Sequence, residues 1–414
     1  MNKPAKRILK AVLPPLVRQA LKNASIFLFC RLKGRAPVAW KNSYMRGVNL
    51  IGHIRGDFGL GESCRLVAGG LAQSGIPFSV RNVSAYGNAP ETNDAWQMYE
   101  RDDLPYGINI VHLNADELLA NAWNLGVQTF KGRYNIGFFL WEQMEFPEKW
   151  KQAFDLVDEV WTPAEFISAA VRKRTEKPVY TMPYGLPVPP TDIRCDRAHF
   201  GLPDTMCLFL ISYDGKSSSD RKNPMGSVRA FCRAFSPDDL VGLVIKATHA
   251  QDEELLGFRE LLKEYPHVYI LTDSYSKAAF NSLVACVDVY VSLHRAEGFG
   301  LVMAEAMLLG TAVIATNWSA NTEFMNEQVA CMVPAAILTL QADSFPYEKG
   351  SHWADPDERI AAGMMRRLYE DPGLRAELAA KAQTFAREKL SPAQASQKME
   401  HRLNELLDKE KTQR

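Results

Sequence analysis

Short apolar runs alternate with longer stretches of helical periodicity along most of the chain, and a glycine-rich or polar turn follows many of the runs. Residues 48–51, 77–80, 109–114, 136–141, 158–163 and 179–183 are such runs in the first half. Residues 207–213, 241–247, 268–272, 287–291 and 312–316 continue the series in the second. Runs this short, rich in Val and Ile, predict strands buried in parallel sheets. The periodic stretches between them, ending near 74, 174, 235, 285 and 309, predict crossover helices. From 357 to 407 the pattern is helical almost throughout, broken at Asp371-Pro372-Gly373 and Ser391-Pro392. Residues 183–190, with four prolines and a glycine, read as an interdomain connector.

The stretch from Ser292 to Glu305 carries the clearest chemistry. It lies between a predicted strand and a predicted helix closed by Gly310. Gly298 and Gly300 let the backbone approach a ligand closely. The amides of Phe299, Gly300 and Leu301 would stand at a helix N-terminus, where partial positive charge favours a phosphate. Glu297 precedes that cradle, and Glu305 follows about two helical turns later. One carboxylate is placed to face a sugar beside the phosphates, the other to accept from ribose hydroxyls. Solvated or ion-paired carboxylates are the bland alternative.

Glu297-x7-Glu305, inside Glu-Gly-Phe-Gly-Leu-x3-Glu-Ala, resembles the signature of retaining glycosyltransferases of family 4, which have the GT-B fold. The resemblance implies two Rossmann-like parallel-sheet domains facing a cleft, with the last helix crossing back to the first domain. On that pattern we expect a basic extension at 1–46, an acceptor domain at 47–185, a donor domain at 186–390 and a terminal helix at 391–414. The family's Gly-x-Gly-Glu turn is matched by Gly59 and Gly61, and its sugar-contacting histidine by His112 at a strand end. Lys222 matches the lysine that binds the donor diphosphate. The family's second cation falls at Ser217, so Arg221 is its candidate substitute, with Lys246 a weaker one. The implied catalytic set is Glu297, His112 and Lys222. The implied donor-binding set is Gly59, Gly61, Arg221, Lys222, Lys246, Phe299, Gly300, Leu301 and Glu305, with no metal and no cofactor. Trp141, Glu142 and Trp161 are placed to line an acceptor site or to pack. Residues 272–275 would border the base, and the loop 317–324 would cap the base or the ribose side. Another GT-B enzyme such as an epimerase or a phosphorylase-like protein, and a non-catalytic nucleotide-sugar binder, stay open. A nicotinamide enzyme is weakened by the missing Gly-x-Gly-x-x-Gly.

Charge changes the picture only at the start of the chain. Lys+Arg and Asp+Glu are both 48, which gives a nucleic-acid partner no overall support. The first 56 residues, however, hold twelve Lys or Arg and no acidic residue. Residues 1–35 therefore have the composition of a peripheral anchor on anionic lipid. They equally suit an extension packed on the protein or partly disordered, and Pro14-Pro15 would break or kink a helix there. The seven cysteines form no Cys-x2-Cys pair, which points to a reducing cytoplasm rather than to disulfides or zinc. The expected partners are a nucleotide-sugar donor and a glycan or glycolipid acceptor, in the cytoplasm and at the inner face of a membrane if the anchor operates.

Overall fold

The computed structural model describes residues 15–34, 44–84, 90–344 and 346–409. Two six-stranded sheets, parallel throughout, organise it. The first holds β1 (Met45–Gly52), β2 (Phe78–Asn82), β3 (Tyr106–His112), β4 (Tyr134–Phe138), β5 (Glu159–Thr162) and β6 (Val179–Thr181), in the order β2-β1-β3-β4-β5-β6. The second holds β7 (Cys207–Asp214), β8 (Val241–Thr248), β9 (Val268–Leu271), β10 (Val289–Ser292), β11 (Ala312–Thr316) and β12 (Cys331–Val333), in the order β12-β11-β10-β7-β8-β9. Strands such as β3 are buried along their whole length because helices cover both faces. Strand order reverses between β1 and β3 in one sheet and between β7 and β10 in the other. Such reversals open a crevice beyond the strands' carboxyl ends.

Two features carry no mark in the sequence pattern. β12 extends the second sheet, and β13 (Ala335–Thr339) pairs antiparallel with β14 (His352–Pro356) as a hairpin outside both sheets. The hairpin reaches the first domain through Lys149–Glu348 at 2.8 Å and His352–Glu145 at 3.4 Å.

Helix Pro15–Lys33 starts at the second proline, so Pro15 opens a helix rather than breaking one. The helix docks on the first domain by Ile26 and Phe29, with Phe29 edge-on to Trp123 at 5.1 Å and to Phe130 at 5.6 Å. Residues 1–14 of the basic segment lie outside the described residues. No helix among the described residues is long and apolar enough to cross a membrane.

Helix Pro392–Lys409 packs back on helix Gly59–Gln73 of the first domain. Its Arg402 forms a buried pair with Glu159, Nη2 lying 2.5 Å from Oε2, and stacks over Tyr180 at 4.3 Å. Glu159 also accepts from Trp161 Nε1 at 2.6 Å and Tyr134 Oη at 2.9 Å, so Trp161 belongs to this packing. Removing the guanidinium would strand a buried carboxylate. We expect Arg402→Ala to cost roughly 3–5 kcal/mol of unfolding free energy by denaturant titration. A loss below about 1 kcal/mol, the worth of an exposed pair, would show that Glu159 is not confined as described.

Candidate active site

Loops from the carboxyl ends of both sheets meet around a cavity of about 620 Å³. β1, β3 and β4 lead into its first-domain wall, and β7 and β10 into its second-domain wall. Both crevices therefore open on one space.

The second-domain wall is fixed by the turn after β7. Asp214 accepts from Lys216 N–H, and a short helical turn, Ser219–Lys222, follows. Ser218 (φ 63°) and Asn223 (φ 49°) bracket that turn in left-handed conformations, a strain of the kind kept at functional sites. Asn223 caps the helix Pro224–Ala234 and donates to Leu293 O at 2.9 Å. Arg295 N–H donates to Arg221 O at 2.7 Å, and Arg221 Nη1 to Ala296 O at 3.0 Å. The turn is thereby tied to the loop after β10.

That fastening brings Lys222 Nζ to 2.5 Å and Arg221 Nη1 to 3.4 Å from Glu297 Oε2. Burial alone would raise the Glu297 carboxyl, but Lys222 and Arg221 outweigh it and hold it at about 2. Glu297 is thus a carboxylate at neutral pH. The Arg221 guanidinium also donates to Ser217 Oγ at 2.9 Å. It therefore touches Ser217, the position at which the resemblance leads one to expect the second cation. Lys216, unmarked in the sequence, lines the same wall.

Gly300 (φ +95°) is the N-cap of helix Leu301–Leu309, so the amides the helix leaves unused are those of Gly300, Leu301, Val302 and Met303. The expected cradle of Phe299, Gly300 and Leu301 shares Gly300 and Leu301 with that set, and all three residues line the cavity. The Phe299 ring is packed between Tyr184 at 4.9 Å and Phe324 at 5.1 Å. His294 is buried behind the loop, its ring bonding Ser292 and Asn321.

The first-domain wall brings Gly59, Trp141 and Glu142 to the cavity. Burial, opposed by Arg221 and Lys222 and reinforced by Glu297, pushes the Glu142 carboxyl up. Tyr347, from the hairpin connection, donates to Glu142 Oε2 at 3.3 Å and had no motif to announce it.

Several expected residues lie off the cavity. His112 is wholly buried, its Nε2 3.0 Å from Ser63 Oγ and its ring stacked on Phe138 at 4.8 Å. Burial pushes it down to about 3, so it is neutral and sits behind the wall. Gly61 serves backbone packing, since a Cβ there would lie 2.0 Å from Gly56 O. Lys246 donates to Thr248 Oγ1 at 2.8 Å and sits 5.0 Å over Tyr275, so residues 272–275 lie off the cavity with it. Glu305 pairs with Lys277 at 2.5 Å through Oε1, while its buried Oε2 has no partner among the described residues. In the 317–324 loop, Glu323 accepts from Phe166 N–H at 2.8 Å and Trp318 packs on the Phe166 ring, joining the domains.

Residues 227–342 match the family model described as Glycosyl transferases group 1. No curated protein matches the chain. Among solved structures it is similar to Anabaena HepE in complex with UDP and glucose, with TM-score 0.62 and 15% identity over 87% of this chain and 100% of that one. A glycosyltransferase from Rickettsia africae ESF-5 gives TM-score 0.63 and 13% identity over 88% and 99%. Sucrose-phosphate synthase from Thermosynechococcus elongatus gives 0.62 and 17% over 87% and 99%. The fold is GT-B, two Rossmann-like domains facing one cleft.

Proposed function

We propose that the protein is a retaining glycosyltransferase of family 4 that moves a sugar from a nucleoside diphosphate donor to an acceptor hydroxyl. The observation that carries this reading is the convergence of Lys222, Arg221, Glu297 and the unused amides of Gly300 to Met303 on one cavity. Two cations share one carboxylate there, which leaves excess positive charge for an anion to meet. A diphosphate fits that demand, held by the lysine and by the helix terminus. As the glycosidic bond of the donor breaks, charge builds on the departing diphosphate, and groups fixed beforehand stabilise it. Glu297 then faces the sugar as its positive character grows. Front-face attack by the acceptor hydroxyl, with its proton passing to the departing phosphate, gives retention without a covalent enzyme intermediate. The unpartnered Oε2 of Glu305 suits a ribose hydroxyl, once the nucleoside reaches that side. Residues 186–390 are the donor domain and 47–185 the acceptor domain in this reading.

Release of UDP from a panel of UDP-sugars tests the proposal. Lys222→Met and Glu297→Ala should each lower kcat about 10²–10³-fold, whereas Glu305→Ala should mainly raise the donor KM. Normal kinetics in all three variants would remove the assignment. An α-linked product from an α-configured donor, read by NMR, is expected; a β-linked one would exclude retention.

We also place the chain on a membrane face, in bacterial polysaccharide or glycolipid assembly. Helix Pro15–Lys33 turns Leu21, Phe27, Leu28 and Leu32 outward, in a segment free of acidic residues. Apolar side chains among basic ones suit an anionic lipid surface. Co-sedimentation with phosphatidylglycerol vesicles should fall roughly tenfold in a Leu21→Ser, Leu28→Ser, Leu32→Ser variant. Unchanged sedimentation would argue against the anchor.

A further inference from the structure

The two walls of the cavity differ in charge. The second-domain wall carries Lys216, Arg221 and Lys222, with Asp214 and Glu297 as its only acids among the described residues. The first-domain wall contributes Asp116, Glu117 and Glu142 and no Lys or Arg among the described residues. One of these carboxylates is already committed: Glu117 meets the His53 ring at 3.4 Å and the Asn114 amide at 3.3 Å. Glu142 is held differently. Its Cγ would lie 3.6 Å from a Cβ on Gly298, the residue after Glu297, so it rests directly beside the centre of the second-domain wall.

Only one of its oxygens is taken. Oε2 accepts from Tyr347, and Oε1 has no hydrogen-bond partner among the described residues. Tyr347 is itself buried, 5.5 Å from Trp141 and 6.5 Å from Trp353. The hairpin that supplies it is paired to the first domain at Lys149 and Glu145. Glu142 is therefore fixed from both domains and presents a free acceptor oxygen next to Glu297. The groups facing it are Arg221, Lys222, Glu297 and Tyr347. An approaching hydroxyl can donate to that oxygen, whereas an anionic group on the same wall would meet Asp116, Glu117 and Glu142 with no Lys or Arg of that wall beside them.

Building on the glycosyl-transfer reading, we propose that Glu142 is the acceptor-side residue. Its Oε1 receives the hydrogen bond of the attacking hydroxyl while Tyr347 holds Oε2. The acceptor is then an uncharged or amino-bearing polyol, and uronates and phosphate esters are rejected. No bond to Glu142 forms; it orients the nucleophile beside the sugar that Glu297 faces.

Hydrolysis of the UDP-sugar that the protein turns over makes water the attacking hydroxyl, so it reads Glu142 without the natural acceptor. Glu142→Ala should lower the hydrolytic kcat roughly 10- to 100-fold and leave the donor KM within about threefold. A raised KM with unchanged kcat would assign Glu142 to the donor and overturn the proposal. Glu142→Gln keeps the side chain's volume and reads the charge independently. Methyl glucoside should inhibit hydrolysis by the wild-type protein at roughly tenfold lower concentration than methyl glucuronoside, a gap of about 1.4 kcal/mol. Glu142→Gln should close that gap. Equal behaviour of the two glycosides on the wild-type protein, whether both inhibit or neither does, would overturn the acceptor class. If no UDP-sugar is hydrolysed at all, glycosyl transfer itself fails; if one is and the variants behave otherwise, only the role of Glu142 fails.

Discussion

Three hydrogen bonds fasten the turn after β7 to the loop after β10: Arg295 N–H to Arg221 O, Asn223 Nδ2 to Leu293 O and Arg221 Nη1 to Ala296 O. The charges of the site follow from that fastening. It presses an arginine and a lysine against one glutamate on the cavity that the first turn of helix Leu301–Leu309 also lines. Burying a charge without compensation costs several kcal/mol, so such a cluster persists only when its geometry is over-determined. Glu297 neutralises one of the two cations. The other, with the helix terminus, leaves the cavity poised for an anion.

The topology explains why this happens in one place. Each sheet reverses its strand order once, and both reversals open on the same cavity. The connector at 183–190 and the return helix Pro392–Lys409 keep the domains facing, the latter through the buried Arg402–Glu159 pair. The hairpin β13–β14 adds a third tie across the cleft and brings Tyr347 with it. One wall then carries the cations, the other carboxylates and tryptophans, and a substrate bridging them would meet different chemistry at its two ends.

Much of this was legible in the residues themselves. Strands such as β8 and β11 and helix Leu301–Leu309 follow from local periodicity, and Glu297 and Gly300 lie in a strand–loop–helix pattern, whereas Lys222 is marked by the family resemblance alone. What was not legible depends on direction or on distant contacts. His112 ends β3 as expected, yet being last in a strand does not say which face its ring takes, and Ser63 draws it inward. Lys246 lies near the carboxyl end of β8, one strand removed from the reversal between β7 and β10, so its tip falls beside the cavity. Tyr347 owes its position to Trp141, some two hundred residues earlier, and no local pattern encodes that. Gly61 shares a motif with Gly59, but its space is set by Gly56 O rather than by a ligand.

The central claim is that a diphosphate is what the fastened turn and the helix terminus are built to receive. Isothermal titration calorimetry with UDP, UMP and uridine tests it most directly. The account predicts that UDP binds roughly 100-fold more tightly than uridine, about 2.7 kcal/mol, with UMP between them. Uridine binding as tightly as UDP, or no association with UDP at all, would contradict it.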